Sequence, residues 1–132
     1  MDTPNSKILL VEDQDDMRMI TSMMLRNMGF RRVVEAVDGK DALDALAQIE
    51  STDQLVLIIA DWNMPKMNGF DLLVAVRSKE SYKTVPFLMI TAQNDREKIV
   101  SAIEAGVTDY IVKPFSAKVL EEKINRALGI KR

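Results

Sequence analysis

Four short runs in this chain are apolar at every position, and each is cut off by a polar side chain. Ile8-Leu9-Leu10-Val11 ends at Glu12 and Asp13, and Leu55-Val56-Leu57-Ile58-Ile59-Ala60 ends at Asp61. Phe87-Leu88-Met89-Ile90 ends at Thr91, and Tyr110-Ile111-Val112 ends at Lys113. A strand without alternation is buried on both faces, as in a parallel sheet covered by helices. Such sheets bind ligands in the crevice beyond the carboxyl ends of their strands. The pattern therefore brings three carboxylates, a hydroxyl and an ammonium to one edge.

The segments between the runs read as helices, so that strand and helix alternate five times. Met17, Ile20, Met24 and Met28 recur at helical spacing and are expected to face the core, with Gly29 as a left-handed cap. Val33 to Ala36 reads as a short second strand, and Asp38-Gly39 turns the chain into a helix carrying Ala42, Leu43, Leu46 and Ile49. After Asp61 comes a loop to Gly69, then a helix marked by Phe70, Leu73 and Val76. Pro86 precedes the fourth strand. Asn94-Asp95-Arg96-Glu97 has capping-box spacing at the start of the next helix, in which Ile99, Ala102 and Ile103 are expected inward and which Gly106 ends. Ser116 to Leu128 forms the last helix on Leu120, Ile124 and Leu128. Alternation of this kind gives a doubly wound parallel sheet. Its strand order is open on these grounds. The order 2-1-3-4-5 sets strands 1 and 3 side by side, brings their acids together, and is therefore preferred.

Composition narrows the chemistry. The chain has 132 residues, no cysteine and no histidine. One domain is expected, without disulfides or a thiolate zinc site. Without imidazole or thiolate, any metal is a hard cation bound by oxygen: magnesium, manganese or calcium. A formal net charge of −2 gives no global field that favours nucleic acid. No apolar stretch approaches the roughly 20 residues of a membrane helix. The first six residues lack the blocks of a signal peptide. The expectation is a soluble cytoplasmic protein.

Three crowded carboxylates repel one another unless one takes a proton or a cation sits among them. Mg²⁺ suits the site, because it binds one or two carboxylates together with phosphate oxygens. A carboxylate can also act as nucleophile and form an aspartyl-phosphate. Catalysis of phosphoryl transfer is mostly positioning and countercharge, which the metal, Lys113 and the Thr91 hydroxyl can supply, while small Ala92 keeps the approach open. Taken singly, these residues have ordinary readings: a helix cap for Asp13 or Thr91, a solvated side chain for Lys113. Their joint occurrence at strand ends is what argues for a site.

The acidic pair Glu12-Asp13, Asp61, Thr91-Ala92 and Lys113-Pro114 resemble the receiver domains of bacterial response regulators over essentially the whole chain. Asp61-Trp62-Asn63-Met64-Pro65, Met17-Arg18, Lys113-Pro114-Phe115 and Leu120-Glu121-Glu122-Lys123 are similar to the chemotaxis branch of that family. The resemblance implies a single flavodoxin-like (βα)5 domain over residues 1–132, with sheet order 2-1-3-4-5 and no output domain. It implies that Asp61 accepts a phosphoryl group from a histidine kinase, with Thr91, Ala92 and Lys113 completing the catalytic set. Asp13, Asp61 and the Asn63 carbonyl would hold Mg²⁺, with Glu12 acting through water. Phosphorylation would draw in Thr91, let Tyr110 rotate, and change the face of the fourth helix, fifth strand and last helix. A flagellar motor switch protein, or another protein target, would bind there through Asn94, Arg96, Ile99, Ile103, Tyr110 and Lys123. The resemblance also implies a monomer, no contact with nucleic acid or membrane, and a peptide before Pro114 that is commonly cis.

Some positions depart from that branch. Glu12 replaces a common aspartate, Gln93 stands where Glu is frequent, and Asn94 and Ile103 stand where motor-binding members carry alanine. Met19 and Met23 replace more polar residues on the first helix. A phosphate sink, or a regulator of a target other than the motor, is the alternative reading. Two more distant rivals fit less well. A haloacid dehalogenase-type phosphatase needs an aspartate two residues after its nucleophile, where this chain has Asn63. A flavin-binding protein needs a hydroxyl- and glycine-rich loop where Glu12-Asp13-Gln14-Asp15-Asp16 would repel phosphate.

Overall fold

A computed structural model describes residues 6–49, 55–92 and 96–130. The strands are β1 (Lys7–Val11), β2 (Arg32–Ala36), β3 (Leu55–Asp61), β4 (Phe87–Thr91) and β5 (Asp109–Val112). They alternate with helices α1 (Asp15–Asn27), α2 (Gly39–Gln48), α3 (Gly69–Arg77), α4 (Arg96–Glu104) and α5 (Ala117–Leu128), and a short 3-10 turn covers Glu80–Tyr82. All strand pairs are parallel, in the order β2-β1-β3-β4-β5. This is the flavodoxin-like arrangement expected from the sequence.

The non-alternating strands feed two cores, one on each face of the sheet. Leu9, Val11, Ile58, Ala60, Phe87 and Met89 point to one side, against Ala42 and Leu46 of α2, Leu72, Leu73 and Val76 of α3, and Ala102 of α4. Ile8, Leu10, Leu57, Ile59, Leu88, Ile90 and Ile111 point to the other, against Leu25 of α1 and Leu120 and Ile124 of α5. Successive side chains of a strand alternate between faces, so an unbroken apolar run is what a sheet covered on both sides requires. The edge strand β2 differs accordingly, with Arg32 and Glu35 exposed.

Local signals set most of the helix ends. Asp38 accepts the Asp41 N–H at the start of α2, Asn68 the Asp71 N–H at the start of α3, and Ser116 the Val119 N–H at the start of α5. Gly29, with φ 103°, closes α1. Its N–H bonds the Arg26 carbonyl while the Phe30 N–H reaches Leu25, a Schellman ending that a residue with a Cβ adopts only with strain. The capping box expected at Asn94 and Asp95 lies outside the described residues.

Two helix faces differ from expectation. In α1 the buried residues are Thr21, Ser22 and Leu25, while Ile20 is 43% exposed. At 3.6 residues per turn Ile20 lies about 140° around the helix from Leu25. Small Thr21 and Ser22 take the inward face, and the methionine-isoleucine stripe straddles its border, with Met24 and Met28 packed against the core. In α4 only Ala102 is buried, and Ile103 is 60% exposed. One small residue sets that helix against the sheet, which turns its neighbour outward.

Candidate functional site

Strand register assembles the site. Val11 pairs with Ala60, so Glu12 and Asp61 follow side by side at the carboxyl ends of β1 and β3. Asp61 pairs with Ile90 and Thr91 with Val112, which places Thr91 and Lys113 one residue further along their strands. The oxygens of Glu12, Asp13 and Asp61 can all lie within 4.8 Å of one another. Glu12 and Asp61 are buried, Asp13 is half-buried, and Thr91 is buried. Lys113 reaches in from the far side. Its Nζ donates to Asp61 Oδ2 at 2.9 Å and lies 3.3 Å from Glu12 Oε1. The Lys113-Pro114 peptide is cis, and the Lys113 N–H donates to the Thr91 carbonyl at 2.8 Å.

The ordinary readings of these residues do not hold. The cap position of α1 is Gln14, not Asp13. Thr91 lies within β4, five residues before α4 begins at Arg96. Lys113 is half-buried and ion-paired. Ala92 is exposed beside the crevice, and Asn63 is exposed two residues beyond Asp61.

The electrostatics follow from burial. Desolvation first, then the negative charge of Asp61, raises the Glu12 carboxyl from 4.5 to about 7, against the pull of the Gln14 N–H and of Lys113. Desolvation disfavours the Lys113 ammonium, but the hydrogen bond and charge of Asp61, with help from Glu12, outweigh it and leave its pKa raised. Three carboxylates facing one ammonium leave net negative charge in a partly dry crevice. A small hard cation fits such a donor set, and softer metals do not.

The loop after Asp61 is held close to the sheet. The Trp62 N–H donates to the Ile90 carbonyl and the Gly69 N–H to the Trp62 carbonyl. A Cβ on Gly69 would run into the Asp61 carbonyl oxygen and come within 2.8 Å of Met89 Sδ. Glycine is needed there for space. Trp62 stacks on Phe70, with ring centroids 5.5 Å apart, and the Lys98 ammonium lies 5.4 Å above its ring.

The residues assigned to partner binding lie on three successive elements. Arg96, half-buried Ile99 and exposed Ile103 are on α4, Tyr110 is on β5, and Lys123 is on α5. Asn94 lies outside the described residues. Lys123 Nζ donates to Asp109 Oδ1 at 3.2 Å and lies 5.2 Å from the Tyr110 ring centre, so β5 and α5 are joined there. Sequence reasoning gave Arg18 no role of its own, although it bonds the backbone of the acidic loop. The signal was a cation two residues after an acidic run.

Comparison with known proteins agrees with this geometry. The model of the response regulator receiver domain matches residues 8–125. Chemotaxis protein CheY of Pseudomonas aeruginosa is 47% identical over 120 residues, covering 91% of this chain and 94% of that one. Chemotaxis protein CheY1 of Helicobacter pylori is 41% identical over 123 residues, covering 93% and 97%. The structure of chemotaxis response regulator CheY4 of Vibrio cholerae superposes with a TM-score of 0.84 at 35% identity, covering 93% of this chain and 98% of that one. A strand order that joins the two acid-bearing strands, a lysine across from them, and a family match over nearly all of the fold lead to one conclusion: this chain belongs to the response regulator receiver domains and is similar to the chemotaxis proteins of the CheY type.

Proposed function

We propose that this protein is a phosphoacceptor switch of a chemotaxis-type two-component system, acting in the cytoplasm. Asp61 takes a phosphoryl group from a phosphohistidine of a histidine kinase. The observation that carries this reading is the placement of Lys113, 2.9 Å from Asp61 and 3.3 Å from Glu12, in a buried acidic crevice. In the step, an Asp61 carboxylate oxygen forms a bond to phosphorus as the phosphorus–nitrogen bond of the donor breaks, and the leaving imidazole takes a proton from solvent. Lys113 orients the carboxylate and then neutralises one phosphoryl oxygen. The Thr91 hydroxyl donates to another, and Ala92 leaves room for the group. Asp13, Asp61 and the Asn63 carbonyl are assigned to Mg²⁺, with Glu12 acting through water. The bound ion supplies countercharge to the phosphoryl oxygens. The protein promotes its own phosphorylation and dephosphorylation and is not an enzyme acting on a separate substrate.

Output is assigned to the face of α4, β5 and α5, with Asn94, Arg96, Ile99, Ile103, Tyr110 and Lys123, and to a flagellar motor switch protein as target. One observation favours a second reading, a phosphate sink or a regulator of another protein. Ile103 is exposed on this face, at a position where the family resemblance implies alanine in motor-binding members. Pull-down with a flagellar switch peptide, with and without phosphorylation, separates the two. For the phosphorylation itself, Asp61→Asn is expected to abolish alkali- and hydroxylamine-labile label from a small-molecule phosphodonor in Mg²⁺. Undiminished label, or label mapped to Asp13, refutes the assignment.

A further inference from the structure

Arg18 lies on α1, outside the acidic crevice, yet its guanidinium serves three acceptors on three segments. Nη1 donates to the Glu12 carbonyl at 2.9 Å, Nη2 to Asp15 Oδ1 at 2.7 Å and Nε to Glu35 Oε1 on β2 at 3.2 Å. The side chain is only 16% exposed. The Glu12 carbonyl belongs to the peptide that joins Glu12 to Asp13, so its orientation fixes where both carboxylates start. The other polar atoms of Glu12 are also engaged. Its N–H donates to Ala36, Oε2 accepts from the Gln14 N–H, and Oε1 faces Lys113. The Asp13 side chain is thus aimed by a peptide plane that Arg18 holds.

We propose that Arg18 is a positioning residue for the divalent cation site, acting through the Glu12–Asp13 peptide and not through its charge. The inference rests on the reading of that site as a Mg²⁺ site. Geometry and charge predict opposite signs, which makes it decidable. A cation near an acidic site repels Mg²⁺, so its removal tightens binding if Coulomb interaction is all that matters. If Arg18 fixes the ligands, its removal weakens binding, and loss of an outer-shell partner typically costs about tenfold or more in metal affinity. Lysine keeps the charge but is a point donor, and it cannot reproduce a planar fork on three acceptors.

The test is calorimetric titration of Mg²⁺ into wild type, Arg18→Met and Arg18→Lys, with melting temperatures taken in EDTA. The expected result is Kd weaker by about tenfold in Arg18→Met, and weakened in Arg18→Lys as well, with both variants folded in EDTA. Tighter or unchanged binding in Arg18→Met overturns the proposal, as does full recovery by lysine. If Arg18→Met does not fold, Arg18→Lys decides, since an affinity equal to wild type then refutes the role. A wild type that takes up no Mg²⁺ refutes the metal reading itself, an outcome distinct from any of these.

Discussion

Glu12 is packed at the end of β1 with a partner for each of its polar atoms, yet its carboxyl ionises only near pH 7, because burial and the charge of Asp61 both oppose its negative form. That has a consequence for stability in the absence of divalent ions. Between its ordinary value of 4.5 and about 7 the folded chain binds a proton at Glu12 that the unfolded chain has released. Where the folded state holds more protons, stability falls as pH rises. Stability in EDTA is therefore expected to decline from about pH 4.5 to pH 7, and Glu12→Gln is expected to flatten that decline. Urea unfolding at pH 5 and pH 7.5 checks it, and parallel curves for wild type and variant would contradict the assignment. Lys113 adds nothing in this window, because it stays charged throughout.

Among the elements, what the sequence discloses depends on how many faces are buried. β1, β3 and β4 were legible because both faces are covered, so their runs are apolar throughout, and the polar residue that stops each run marks the crevice. The helices were less legible. Periodicity locates a stripe of large apolar side chains, but α1 approaches the sheet through Thr21, Ser22 and Leu25, and small polar residues carry no apolar signal. The same reasoning misplaced Ile103, because Ala102 alone decides how α4 sits. Residues whose role is a bond to backbone, such as Arg18, leave no periodic trace. Met19 and Met23, which replace more polar residues, also lie on α1. They are 58% and 56% exposed, and with Ile20 they lie on the side of the helix away from Leu25. They do not extend the core. Methionine repacks readily around different partners, so this face suits an approaching phosphodonor helix. Met19→Arg with Met23→Asn is expected to slow phosphotransfer from the cognate kinase and to leave labelling by a small-molecule donor unchanged. Equal rates for both donors, relative to wild type, would remove the role.

For the molecule as a whole, the crevice opposes folding until it is filled. Crowded carboxylates raise the free energy of the folded state, and an ion that binds only that state stabilises by mass action, about 2.7 kcal/mol at one hundred times Kd. Millimolar Mg²⁺ is therefore expected to raise Tm by several degrees, and Asp13→Ala to abolish the rise. The same variant is expected to be no less stable than wild type in EDTA, since it removes one of three repelling charges. Melting curves of the two proteins with and without Mg²⁺ decide both points, and a wild-type Tm indifferent to the ion would count against the site. Among the described residues, no helix is long and apolar enough to cross a membrane.

The strand order has one more consequence, for a chain that emerges from the ribosome amino end first. Glu12 and Asp13 directly follow β1 and Asp61 ends β3, strands that neighbour each other in the sheet and can pair once Asp61 has been made. The lysine that faces them follows β5, about fifty residues later in translation. Through that interval the nascent acids are without Lys113, so the ion pair across the crevice forms late in synthesis, with α5 still to follow.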